Sequence, residues 1–134
     1  MKISKSVFRY IEYEMYSYDD IKKELGLYRE EVLGGEEKPE VAVQGGLGDK
    51  TANKAIKLTS SKFVLQSERI INSIDRSLEL LGDTYKKLFR LKYQNGLPWQ
   101  EVIAEMNVSD RTYYRLRREL VTVVGQQLGV INIE

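Results

Sequence analysis

Residues 98–120, PWQEVIAEMNVSDRTYYRLRREL, decide the fold because their spacing predicts two short helices and the turn between them. Pro98 suits the first position of a helix, where no backbone N–H donor is needed. The apolar face of this first helix would consist of Val102, Ile103 and Met106. The turn is predicted at Asn107 and Val108. Ser109 then follows as a good N-cap for the next helix.

The second helix is predicted to span residues 110–124 and to have two distinct faces. Apolar or aromatic residues recur at spacings of three and four, which indicates a face turned toward the core. These residues are Tyr113, Leu116, Leu120 and Val124. The opposite, outer stripe consists of Arg111, Tyr114, Arg115 and Arg118, with Arg117 on its flank.

This arrangement is typical of a helix-turn-helix, in which a short helix braces a second one that enters the DNA major groove. The predicted DNA contacts are Ser109, Arg111, Thr112, Tyr114, Arg115, Arg117 and Arg118. Two amphipathic helices with a solvated basic face also occur in many helical proteins that bind no DNA. The use of arginine favours DNA, because its planar fork fits guanine or phosphate and solubility alone does not require it.

Charge is distributed unevenly along the chain, although the formal net charge is only +1. Residues 1–49 contain 7 basic and 11 acidic side chains, a net charge of −4, whereas residues 50–134 contain 14 and 9, a net charge of +5. Salt confines the field of a charge to roughly 8–10 Å, so a local basic face is enough to attract phosphate.

The composition argues against catalysis. The sequence contains no cysteine and no histidine, which removes thiolate chemistry and the commonest general base and metal ligand. No GxxxxGK[ST] or GxGxxG motif is present. We therefore expect no enzyme, no cofactor and no metal site. No apolar run is long enough for a signal peptide or a membrane span, so a soluble intracellular protein is expected.

Helical periodicity divides the rest of the chain into segments. Residues 1–33 are predicted to form one helix, or two joined near Ser17, followed by a Gly-rich linker over 34–49. A long helix is expected over 50–82. Its length of roughly 48 Å exceeds one small core, so the N-terminal helix or a second subunit should lie along it, and a coiled-coil or dimer seam could form there.

Residues 83–134 are predicted to form a three-helix domain. Its first helix would span residues 83–93 and end at Asn95 and Gly96. Its cations could contact the DNA backbone or simply be solvated; they are Lys86, Lys87, Arg90 and Lys92. The apolar tail beyond residue 120 should pack back onto the domain or onto a partner. The predicted fold class is therefore all-α, with long helices and a C-terminal helix-turn-helix domain.

The sequence resembles the RinA/ArpU group of phage transcriptional regulators, whose C-terminal part looks like the promoter-reading domain of bacterial sigma factors. The resemblance covers most of residues 49–131 and lies in DKTANKAIKL, LFRLKYQNGLPWQEVIAEMNV, SDRTYYRLRREL and VGQQLGV. Residues 1–48 match only in outline. The sigma-like turn commonly has glycine where Asn107 stands, and asparagine also tolerates the left-handed conformation.

The resemblance implies a sequence-specific activator of late, packaging and morphogenesis genes in the cytoplasm of a bacterial host. Double-stranded DNA and a second copy of the chain would be its partners, with host RNA polymerase as a further one. It suggests base or backbone contacts at Arg111, Tyr114, Arg115 and Arg118. Two alternatives stay open: a small terminase subunit that marks DNA for packaging, and a purely structural helical interaction module.

Overall fold

Every regular element in the described part of the chain is a helix, and no strand occurs there. The structure is a computed structural model. It describes the backbone of residues 3–36 and 46–132 and the side chains of residues 3–31 and 62–132. The prediction of an all-α protein is confirmed for these residues.

The N-terminal segment contains two helices, the second of the two arrangements that the sequence allows. Helix α1 spans Lys5–Tyr16 and is capped by Ser4, whose hydroxyl accepts a hydrogen bond from the backbone N–H of Val7 at 3.2 Å. Helix α2 spans Tyr18–Glu36 and follows after the single residue Ser17.

Two predicted boundaries around the linker differ from the structure. Helix α2 continues through Gly34 and Gly35 to Glu36, and the long helix α3 spans Gly46–Leu81, so it begins four residues before the predicted start at residue 50. Glycine disfavours a helix by only about 1 kcal/mol per residue, which a favourable helical context can outweigh. Residues 37–45 of the predicted linker lie outside the described residues.

The C-terminal part contains three further helical segments. Gly82, at φ +100°, separates α3 from α4, which spans Asp83–Leu88 and continues as a π-helical turn over Phe89–Gln94. Helix α5 spans Trp99–Met106. Helix α6 spans Asp110–Leu128, so it continues four residues beyond its predicted end at residue 124 and stops at the left-handed Gly129. The π-helical turn was not predicted from the sequence.

The chain divides into two compact units. The second unit, Asp20–Arg69, joins α2 to α3: the rings of Tyr28 and Phe63 lie 5.6 Å apart, and Arg29 pairs with Glu68 at 3.4 Å. Within this unit, the N-terminal part of the same chain therefore lies along the long helix, as one of the two predicted arrangements requires.

The first unit consists of Met1–Asp19 and Ile70–Glu134 and contains the candidate site. Its largest fully buried side chains come from α1, α3, α4, the π-helical turn, α5 and α6: Ile11, Met15, Ile74, Ser77, Leu88, Phe89, Val102, Tyr113, Leu120, Val121 and Val124. Gly125 allows α1 to approach α6 closely, because an added Cβ there would lie 2.6 Å from Cδ1 of Ile11.

Candidate nucleic-acid interface

The connection between α5 and α6 has the conformation that the sequence predicts. Asn107 ends α5 in the left-handed region, at φ 55° and ψ 51°, and is the one non-glycine residue with positive φ in the described chain. Ser109 is extended, and its hydroxyl accepts a hydrogen bond from the backbone N–H of Thr112 at 3.2 Å. These two residues fix where α6 begins and hence which side chains face outward.

The inward face of α6 is buried along its whole length. Tyr113, Leu116, Leu120 and Val124 have exposed fractions of 1%, 5%, 0% and 0%. The prediction of this stripe is confirmed, and the rotation of α6 about its own axis follows from it. Val102 on α5 is also fully buried, whereas Ile103 and Met106 are half-buried.

The four predicted residues of the outer stripe are all exposed: Arg111, Tyr114, Arg115 and Arg118. Arg115 pairs with Glu119 one turn later at 2.9 Å. Exposed pairs at this spacing contribute only about 0.3–0.5 kcal/mol, so Arg115 can exchange its partner readily. Within the described residues, Arg111 and Arg118 form no ion pair.

Arg115 and the half-buried Tyr85 share one carboxylate. The Tyr85 hydroxyl donates a hydrogen bond to Glu119 at 2.6 Å, so this carboxylate serves both Tyr85 and Arg115. Burial and the adjacent Glu119 raise the pKa of Tyr85 to about 12. Tyr85 therefore remains a neutral donor near neutral pH and holds Glu119 against α4.

Arg117 lies in an internal ion pair and not on the outer stripe. Its guanidinium donates to both carboxylate oxygens of Glu12, at 2.9 and 2.7 Å, and lies 5.0 Å from the ring centre of Phe8. The Tyr93 hydroxyl donates to the same carboxylate at 2.6 Å. Of the predicted DNA contacts, Arg117 is thus the one whose charge already has a fixed protein partner that is largely buried.

Burial and hydrogen bonding shift the pKa values of Glu12 and Arg117 in opposite directions. Burial alone would raise the pKa of Glu12, but hydrogen bonds from Arg117 and Tyr93 and the positive charge of Arg117 bring it below its ordinary value. The hydrogen bonds to Glu12 raise the pKa of Arg117 against the opposing effect of its burial. Both groups are therefore charged near neutral pH.

The role of Glu12 is hard to predict from the sequence. Exposed carboxylates are far commoner on amphipathic helices, yet Glu12 is only 9% exposed. The available signal was its position one turn after Phe8 and three residues before Met15, which places it beside the apolar face of α1.

Two of the predicted contacts, Ser109 and Thr112, lie at the start of α6, and their hydroxyls hydrogen-bond to each other. The hydroxyls of Ser109 and Thr112 are 3.1 Å apart, and that of Ser109 also caps the helix. Ser109 is exposed and Thr112 half-buried. Both hydroxyls therefore already form hydrogen bonds within the protein, and a contact with DNA would have to be made in addition to these bonds.

Three of the four cations on α4 and its π-helical turn interact within the protein. Lys86 pairs with Glu79 at 3.0 Å, the ammonium of Lys87 donates to the backbone carbonyl of Glu105 at 3.1 Å, and that of Lys92 donates to the Tyr16 hydroxyl at 3.0 Å. The fourth, Arg90, is exposed.

A groove of about 500 Å³ lies beside the outer stripe, between α1 and α6. Its α6 wall includes Tyr114 and Arg118, and its α1 wall includes Lys5 and Arg9. No residue of α1 was predicted to lie near the outer stripe. The described residues contain no group of three side chains suited to holding a metal ion. None of their helices combines the length and apolar character needed to cross a membrane.

These features define an all-helical protein with an exposed, arginine-bearing helix face and a basic groove beside it. The chain belongs to the family described as "Protein of unknown function (DUF722)", which matches residues 15–126. No curated protein and no solved structure matches the chain. The family match includes all of α5 and the outer stripe of α6, and its description assigns them no activity.

Proposed function

We propose that this protein binds double-stranded DNA sequence-specifically, with α5, the turn and α6 acting as a helix-turn-helix and α6 entering the major groove. One observation carries the proposal: the outer stripe of α6 is exposed while the opposite stripe is buried. Arginine at positions 111, 115 and 118 then points at solvent from one side of a helix. A guanidinium can donate two parallel hydrogen bonds to guanine, the commonest specific base contact.

The turn supports the same function. The left-handed Asn107 and the capping Ser109 are compatible with the sigma-like turn of the RinA/ArpU group, in which glycine is common at the position of Asn107. On this resemblance the protein is an activator of late phage genes in the cytoplasm of a bacterial host. Host RNA polymerase is a further proposed partner.

A homo-oligomer is part of the proposal, because one short helix reads only a few base pairs and two half-sites provide useful specificity. Exposed leucines on α3 are compatible with a subunit contact: Leu65 is 69% exposed and Leu80 is 65% exposed. The number of subunits would show in the symmetry of the bound site.

The experiment is selection of bound duplexes from a random pool, followed by affinity measurements on the selected site and on a scrambled one. Arg115→Ala and Arg118→Ala should each weaken binding to the selected site by about 1–3 kcal/mol and relax the preference at one base pair. Arg76→Ala, which removes an exposed arginine from α3, is the matched control and should leave affinity unchanged.

Failure to recover any preferred sequence, with no salt-dependent binding, would favour a structural interaction module instead. Equal losses for Arg76→Ala and Arg118→Ala would show that only total charge matters. A ring of many subunits in solution would favour the small terminase subunit as the alternative DNA-binding function.

A further inference from the structure

The groove between α1 and α6 is continuous with the face proposed to read DNA. Tyr114 and Arg118 belong both to the outer stripe and to the groove wall. The opposite wall carries Lys5 and Arg9, which are four residues apart and therefore project from the same side of α1. A molecule that contacts the outer stripe can thus extend into the groove.

The charges in the groove are unbalanced in favour of cations. Lys5, Arg9 and Arg118 are exposed and form no ion pair within the described residues. Glu12 is the one carboxylate in the lining, and its charge is compensated by Arg117 at 2.7 Å. The groove therefore presents uncompensated positive charge, which suits an extended anion.

The α1 wall is also held in place. The bidentate pair between Glu12 and Arg117 joins α1 directly to α6, and the guanidinium lies against the Phe8 ring. Phe8 precedes Arg9 and lies three residues after Lys5. Lys5 and Arg9 therefore project from a helix whose position beside α6 is already fixed. Less conformational entropy is then lost when they bind a ligand.

We propose that this groove binds the sugar–phosphate backbone flanking the major groove, with Lys5 and Arg9 as phosphate contacts. The inference rests on the proposed function, because a helix lying in the major groove has a phosphate strand on each side. Phosphate contacts position a protein on the duplex without reading sequence. Helix α1 would thus add affinity and orientation, while α6 provides specificity.

The test compares Lys5→Gln/Arg9→Gln with Lys23→Gln/Lys62→Gln, a control that removes the same charge from exposed lysines on α2 and α3. Dissociation constants are measured over a range of salt concentrations, on the selected duplex and on a scrambled one. The groove variant should bind both duplexes more weakly by a similar factor. The slope of log Kd against log salt concentration should fall by about 2 in magnitude, because each lost phosphate contact lowers this slope by about 0.9.

Lys5→Arg/Arg9→Lys keeps the charges and should restore the slope, which excludes a folding defect as the cause. If the wild-type protein binds its selected site and the groove variant keeps the wild-type slope, the groove inference is wrong and the proposed function stands. An equal change in slope for the lysine control would also overturn it. If the wild-type protein binds no DNA, the proposed function itself fails.

Discussion

Two neighbouring arginines on α6 lie in opposite environments. The guanidinium of Arg117 is held by Glu12 and packed on Phe8, and 29% of its side chain is exposed. Arg118 is exposed and lines the open groove without an ion pair among the described residues. The same residue type thus joins two helices at one position and is left accessible to a partner at the next.

This difference separates stability from recognition on a single helix. Substitutions on the packed side of α6 should change the free energy of unfolding, because they remove buried contacts or uncouple a charge. Substitutions on the outer side should change DNA affinity and leave unfolding within about 0.5 kcal/mol.

The largest effect is expected for Leu116→Ala on the packed side. Leu116 is 5% exposed, so truncation should lower the free energy of unfolding by about 2–5 kcal/mol through lost burial and the remaining cavity. Urea denaturation would measure this. Arg115→Ala, one residue away on the outer side, is the control and should change stability by less than about 0.5 kcal/mol. Similar small effects for both would mean that α6 is rotated from its assigned orientation.

Arg117→Ala should destabilise the fold by about 2–3 kcal/mol, because it leaves Glu12 poorly hydrated and without its cation. The expected loss is below that of a fully buried pair because 29% of the Arg117 side chain is exposed. Arg118→Ala is the matched control. A double-mutant cycle with Glu12→Gln would isolate the pair, and strictly additive losses would contradict a direct coupling.

The sequence was sufficient for α5, the turn, and the start and rotation of α6, because their signals are local; it placed the end of α6 four residues too early. The left-handed Asn107, the Ser109 cap and the buried stripe each depend on residues within a few turns of one another. Local chemistry also offered Ser17 as a junction between two helices and ended the long helix at residue 82, where the structure has Ser17 between α1 and α2 and Gly82 after α3.

The pair between Glu12 and Arg117 could not be predicted in this way, because the two residues are 105 positions apart and each looks like an ordinary surface charge. The basic groove depends on the same long-range contact. The π-helical turn over Phe89–Gln94 was missed because it differs from an α-helix in hydrogen-bond register and not in composition.

Ser109→Ala should lower the free energy of unfolding by about 1 kcal/mol through loss of the cap at the start of α6. Ser109→Asp keeps an acceptor at that position and should retain most of the wild-type stability. Its added negative charge should weaken DNA binding if this end of α6 approaches phosphate, so thermal unfolding and affinity are measured on both variants. Unchanged affinity for Ser109→Asp would remove Ser109 from the proposed contacts while leaving its capping role intact.

The smallest expected effect is the pH dependence of the Glu12 interaction. Because folding lowers the pKa of Glu12, its ionised form stabilises the protein above its ordinary pKa of 4.5, and this stabilisation is lost as the pH falls through the lowered value. The stability difference between wild type and Glu12→Gln should therefore shrink on acidification below pH 4.5. Burial raises the pKa of Glu14, which acts with the opposite sign.

Glu14 is present in both proteins, so the difference between their unfolding free energies isolates Glu12. The measurement is urea denaturation of both proteins at a series of pH values from about 7 down to about 3. A difference that stays constant through this range would mean that the carboxylate charge contributes nothing to the join between α1 and α6. In that case the contrast between Arg117 and Arg118 would rest on packing alone.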